Sequence, residues 1–228
     1  MDPDTSNPRS ATTRSDDAPA NDRTRDAAAY ARHQLARRRA KDAFFAGSAY
    51  SPLAPEQRRS FVGLAYYPPD LAYRLTGLRL EPVGDDHRPF EIETSDGQAR
   101  TAYRLGRFLI TVDGRDVELT AYRVGAASPD TALFVPFRDL TSGHETYAAG
   151  RYLDLEPDRD GSWVIDFNDA YHPYCAYSDS FSCPLPPAEN HLPVEIRAGE
   201  RLAGTAGAAQ AADHRPAGPQ PGDRDGGP

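Results

Sequence analysis

The sequence predicts a mainly β fold: an antiparallel β-sandwich or partly closed barrel, with one N-terminal α-helix and a long, ordered loop rich in Pro and aromatic residues. Three observations predict it. Apolar residues recur with period two through most of the chain after Phe61, Asp-Gly pairs punctuate those runs as turns, and no helical period continues past Phe45.

The elements follow in order. Residues 1–26 carry no large apolar side chain after Met1, and residues 203–228 are Ala, Gly, Pro, Gln, Asp and Arg with little else apolar. Neither segment buries enough surface to offset the entropy of ordering, so both are expected to be disordered tails flanking one globular domain over 27–202. A helix is expected from about Arg25 to Phe45, rich in Ala, Leu and Arg and stopped by Gly47. Its Arg32, Arg37, Arg38, Arg39 and Lys41 read as a solvated basic face, with Tyr30, Leu35, Phe44 and Phe45 docking on the β domain of about 60–200.

Strands follow. Tyr73 and Leu75 lie out of phase with Leu78 and Leu80, which places a bulge at Gly77. Phe90, Ile92 and Thr94 alternate with Glu91 and Glu93. Phe108, Ile110 and Val112 lead into Asp113-Gly114, and Val117, Leu119 and Ala121 lead out, a hairpin signature. Further strands are expected at Leu133–Phe137, Arg151–Leu155, Trp163–Phe167 and Val194–Arg197, with a turn at Asp158–Gly161.

Composition limits the function classes. The chain has 228 residues and a formal net charge of −8, and Lys41 is its single lysine. An acidic chain lacks the basic footprint that nucleic-acid binding needs, so no nucleic-acid partner is expected. No apolar run approaches the roughly 20 residues of a spanning helix, and the acidic start Met-Asp-Pro-Asp is unlike an export leader; a cytoplasmic protein without a membrane partner is expected. Cys175 and Cys183 are then expected to be reduced thiols.

Between Asp166 and Asn190 the texture changes. The run DFNDAYHPYCAYSDSFSCPLPPAEN has no strand or helix period but holds both cysteines, with Phe167, Tyr171, Tyr174, Tyr177 and Phe181. So much aromatic mass must pack, so an ordered Ω-type excursion is expected.

These residues carry a resemblance. The chain is similar to an uncharacterised bacterial and archaeal family, domain of unknown function family 1684, from about Lys41 to Glu200. The landmarks are Lys41-Asp42 with Phe44, Ser51-Pro52-Leu53, Phe61 with Gly63-Leu64, Pro136-Phe137 with Asp139, and Thr141-Ser142-Gly143. Glu145-Thr146-Tyr147, Gly150-Arg151-Tyr152, Asp166-Phe167-Asn168, Ala170-Tyr171, Pro173 and Cys175 follow. Cys183-Pro184-Leu185-Pro186-Pro187, Glu189-Asn190 and Ala198-Gly199-Glu200 complete the series. The resemblance implies no activity. It departs at His172, where the family usually has Asn.

The residues suit three chemistries. His172, Cys175, Cys183 and His191 are side chains that zinc accepts, but the spacing H-x2-C-x7-C-x7-H is not that of common zinc knuckles; buried thiols and no metal are expected. A Cys or Ser142 nucleophile beside His144 or His172 needs a spatial adjacency that spacing does not supply. The leading expectation is a polar constellation. If Arg151–Leu155 and Trp163–Phe167 form a hairpin, Arg151 and Asp166 meet at its open end, with Arg138, Asn168, Tyr171 and Asn190 as further ligand-binding residues. Such a pocket, closed by the 166–190 loop, suits a small polar or anionic ligand. With Asp166, Glu189 or His144 as acid or base it extends to hydrolysis, and no cofactor is expected. Two alternatives stand beside it: the same residues order the loop, and the domain is a non-catalytic protein-interaction module.

Overall fold

The hairpin is the spine of the molecule. In the computed structural model, which describes residues 20–84, 88–125 and 132–204, β3 (Ala99–Val112) runs antiparallel to β4 (Arg115–Val124), with Val112 opposite Arg115. Asp113 and Gly114 turn the chain at φ +48° and +75°, the paired positive values of a tight hairpin turn, which Gly and Asp tolerate best. The two expected tails fall largely on residues 1–19 and 205–228, which lie outside the described residues.

β3 and β4 sit in a five-stranded antiparallel sheet of order β2-β3-β4-β5-β6, with β2 at Phe90–Glu93, β5 at Leu133–Phe137 and β6 at Arg151–Leu155. A second, two-stranded sheet pairs β1 (Arg74–Leu78) with β7 (Trp163–Asp166), its register broken at the expected Gly77 bulge. The fold class is therefore as the period predicted: mainly β and antiparallel, with the larger sheet curled into a half-barrel.

Alternation sorts the sheet into two buried faces. Phe108, Ile110, Leu119, Val135, Phe137, Leu153 and Leu155 point one way, onto Ile165, Phe167 and the C-terminal Leu192, Val194, Ile196 and Ala198. Phe134 and Tyr152 point the other way, into a smaller core with Tyr147, Cys175 and Cys183. The loop from 166 to 190, ordered through three short 3-10 turns, covers this second face. It also spans the opening of the half-barrel. Tyr171 pairs with Tyr152 on the edge of β6, and Cys183 to Leu185 pair with Glu93 to Ser95 beyond β2. The excursion is thus the seam between two otherwise unpaired strand edges.

Two expected pairings are corrected. β6 and β7 do not form a hairpin: only Pro157 and Trp163 bridge around the Asp158–Gly161 turn. The free edge of β6 is occupied by Tyr171, so β7 pairs with β1, placing Asp166 opposite Arg74. Nor is Val194–Arg197 a strand. The carbonyls of Ile196, Ala198 and Glu200 accept hydrogen bonds from the Arg151 guanidinium, and a side chain takes the place of a neighbouring strand.

The helix α1 runs from Ala20 to Gly47, beyond both expected ends, and a one-turn helix α2 (Pro55–Arg59) follows. α1 docks through two of the four expected residues, Phe45 against Phe61, Tyr174 and Tyr177 and Tyr30 on Asp166, and through polar groups that were not expected. Leu35 and Phe44 remain 44% and 36% exposed, while Gln34, Arg38 and Phe45 are buried. Arg37 binds Asp169 at 2.6 Å, Arg38 donates to the Tyr67 carbonyl at 2.7 Å, and Asp42 accepts from the Leu64 N–H at 2.9 Å. Arg38 and Lys41 therefore leave the expected solvated basic face. No helix among the described residues is long and apolar enough to cross a membrane.

Candidate functional site

The residues expected to converge are distributed over separate places, each held by backbone or side-chain partners. Arg151 does not meet Asp166. It shares strand parity with Leu153 and Leu155, so its side chain enters the core face, where it is 1% exposed. There it pairs with Asp139 at 2.6 Å and donates to three carbonyls of the 196–200 segment.

Asp166 lies under α1. Its carboxylate accepts from Tyr30 at 2.8 Å, from Gln34 at 3.4 Å and from the Asn168 N–H and Nδ2 at 3.0 Å, with Arg74 at 3.5 Å. Asn168 also brackets the Asp70 backbone, donating to its carbonyl at 2.7 Å and accepting from its N–H at 2.9 Å. Asp166 thus anchors the helix and the start of the loop. Burial and this carboxylate together push the Tyr30 hydroxyl well above its ordinary pKa.

Asn190, fully buried, accepts from the Thr120 N–H at 2.8 Å and donates to the carbonyls of Thr120 at 2.8 Å and Pro136 at 2.7 Å. It completes the ladder where β4 and β5 pair at only one position, Tyr122 with Phe134. Asn190→Ala leaves three buried backbone groups unpaired and is expected to cost about 3 kcal/mol in urea unfolding, with Asn190→Asp at least as damaging because it lacks both donors. A shift under about 1 kcal/mol for both would show that the ladder does not depend on this amide.

Glu189 accepts from Tyr122 and from Arg104, each at 2.9 Å. Burial pushes its carboxyl up, but hydrogen bonds from its own N–H, Tyr122 and Arg104 outweigh that and hold it below the ordinary value. His144 is exposed in the 141–146 turn, and Arg138 is half-buried, its backbone paired with Asn190 and Leu192. Tyr171 donates to Asp154 at 2.6 Å and stacks under the Lys41 ammonium at 4.6 Å. The four candidate zinc ligands do not converge either. His172 Nε2 accepts from the Tyr147 N–H, His191 Nε2 lies 3.1 Å from the Pro186 carbonyl, and among the described residues no group of three or more His, Cys, Asp or Glu side chains is placed to hold a metal ion.

A different polar centre forms around Glu200. Glu200, 1% exposed, accepts through Oε2 from the His172 N–H at 2.7 Å and the Tyr177 hydroxyl at 3.0 Å, while Lys41 lies 2.5 Å from Oε1. The Arg151 guanidinium bonds the Glu200 carbonyl, and Gly199 before it, at φ +77°, passes so close to Phe167 and Ala170 that a Cβ would fall 2.5 Å from the Ala170 carbonyl. Strand parity marked Glu200 in the sequence: Val194, Ile196, Ala198 and Glu200 alternate, and all four are buried.

His172 stands between this carboxylate and a cleft of about 350 Å³, lined also by Leu53, Phe61, Leu64, Ala176, Tyr177 and Arg201. Its Nε2 is an acceptor, which puts the proton on Nδ1, 3.8 Å from Glu200 Oε2. Burial, helped by the charges of Arg151 and Lys41, pushes His172 down to about 3, so the ring is neutral. Among the described residues, Arg201 is the one charged side chain on the walls of this cleft.

A second cleft, of about 490 Å³, lies between α1 and the β6–β7 region. Asp154, Glu156, Asp166 and Asp169 line it against Arg37 and Arg74, and both arginines are already paired with carboxylates of that cleft. Its surplus of carboxylates opposes an anionic ligand.

The comparisons with known proteins agree on kinship. A family model described as Protein of unknown function (DUF1684) matches residues 59–201. The solution NMR structure of an uncharacterized protein of Haloarcula marismortui is 41% identical, covering 78% of this chain and 97% of that one with a TM-score of 0.58. No curated protein matches the chain.

Proposed function

Because the chain belongs to the DUF1684 family, whose description assigns no activity, we propose from the site itself that the domain binds a small anionic ligand with an apolar body. The ligand occupies the cleft between the 53–65 segment and the 172–177 turn. The observation that carries this reading is the composition of the walls. Leu53, Phe61, Leu64 and Ala176 offer an apolar slot, and Arg201 on its wall supplies the only charge among the described residues. The expected anionic ligand and the contribution of the 166–190 loop are kept; the hairpin end is replaced by Tyr147 and the C-terminal segment. Binding is favoured over hydrolysis because the imidazole on the wall has both ring nitrogens committed, Nε2 to the Tyr147 N–H and Nδ1 towards Glu200.

The test is a fluorescence titration with 8-anilinonaphthalene-1-sulfonate, which joins an aromatic body to one negative charge. One saturable site is expected. Arg201→Gln should weaken it by roughly ten- to a hundredfold, the range of a charge-assisted hydrogen bond, and Ala176→Phe, which fills the slot, should abolish it without lowering the melting temperature. Undiminished binding to a folded Ala176→Phe protein would place the dye elsewhere and end the proposal.

A further inference from the structure

Cys175 and Cys183 lie side by side within the loop that seals the half-barrel, and neither lines the cleft. Both are buried, and the Cys175 N–H donates to Cys183 Sγ at 3.3 Å. The Tyr147 hydroxyl approaches Cys175 Sγ at 4.0 Å. The two residues belong to different anchors of the seam. Cys175 sits in the turn that packs Tyr174 and Tyr177 on Phe45 of α1, whereas Cys183 pairs with Ser95 beyond β2 through both its N–H and its carbonyl.

We propose that Cys175 and Cys183 are a reversible dithiol–disulfide couple that clasps the loop across the sheet, with a hydroperoxide as oxidant. The Cys175 thiolate attacks the terminal peroxide oxygen, the O–O bond breaks, and the leaving oxygen takes up a proton and departs as water from hydrogen peroxide or as an alcohol from an organic hydroperoxide, leaving a sulfenic acid on Cys175. Cys183 sulfur then attacks Cys175 sulfur, gives up its proton, and displaces the hydroxyl as water. Two thiols lose two electrons in total, and one hydroperoxide is reduced by two. Cys175 is the attacking sulfur because hydrogen bonds from Cys183, against the opposing effect of burial, and from Ser95 and Tyr147 bring its thiol down to about 6, while Cys183 is pushed up.

The experiment treats the folded, full-length protein with hydrogen peroxide, blocks residual thiols, and maps peptides without reduction. The expected result is a loss of two hydrogens per chain, a peptide pair linked through Cys175 and Cys183, and full reversal by dithiothreitol. The closed loop should also raise the melting temperature by roughly 5–10 °C, a rise that Cys175→Ser and Cys183→Ser proteins, folded by their circular dichroism, do not show on peroxide treatment. Recovery of both thiols unmodified, of sulfinic acid at Cys175, or of a disulfide between two chains would each overturn the proposal.

Discussion

Replacing Arg151 by Ala or Met is expected to remove about 4 kcal/mol of stability, the largest effect of any single side chain in the domain. The guanidinium is 1% exposed and pairs with Asp139, which is itself buried and accepts from the Thr141 N–H and hydroxyl. Truncating it strands a carboxylate in the core and orphans the carbonyls of Ile196, Ala198 and Glu200 together. The 196–200 segment then keeps only the bonds of Gly199 and Glu200 to Tyr67 and Ala170, and its other carbonyls on the Arg151 side go unpaired. A domain of this size has about 5–15 kcal/mol in all, so the variants should express poorly or unfold at low urea. Arg151→Lys should recover little, since one ammonium cannot reach four acceptors spread over a planar fork. Adding Asp139→Asn to Arg151→Met removes the stranded charge and should regain part of the loss. An Arg151→Met protein as stable as the parent would show that the pair is replaceable by apolar packing.

The second large effect is a pH dependence that belongs to His172. Burial holds the folded imidazole at about 3, against about 6.5 when unfolded, so below pH 6.5 the unfolded chain takes up a proton that the fold refuses. The contribution is complete above pH 6.5 and is lost progressively as the pH falls from there towards 3. The slope approaches 1.4 kcal/mol per pH unit, so about 2 kcal/mol should be lost between pH 7 and pH 5. In His172→Asn the amide oxygen can accept from the Tyr147 N–H in place of Nε2, and this component of the loss disappears. The measurement is urea unfolding of both proteins at the two pH values. Equal losses would mean that the folded protein accommodates the imidazolium, with Glu200 as its counter-charge.

Much of the architecture was legible as period and punctuation. The Asp113-Gly114 hairpin, the Gly77 bulge and the β2, β5 and β6 runs follow from alternation and turn chemistry, which act over a few residues. The site was legible only in part. Parity places Arg151 and Glu200 on buried faces, since each continues an alternating apolar series, but parity names no partner. Arg151 and Asp166 sit at corresponding ends of neighbouring strand runs, and the sequence offered them to each other; in the fold, Tyr171 occupies the β6 edge and sends β7 to β1.

The sequence by itself therefore determined what is local: a β domain after one helix, its main turns, and an aromatic loop too apolar to be a linker. The tertiary structure decided everything that rests on a contest for partners. It made the loop the seam of a half-barrel, turned Asn190 and Arg151 into substitutes for missing strands, added polar bonds to the Phe45 anchor of α1, and gathered Lys41, His172, Tyr177 and Glu200 beside one cleft. The physical reason is that buried backbone groups and charges must each find a partner, and which partner is free depends on strand edges brought together from distant parts of the chain.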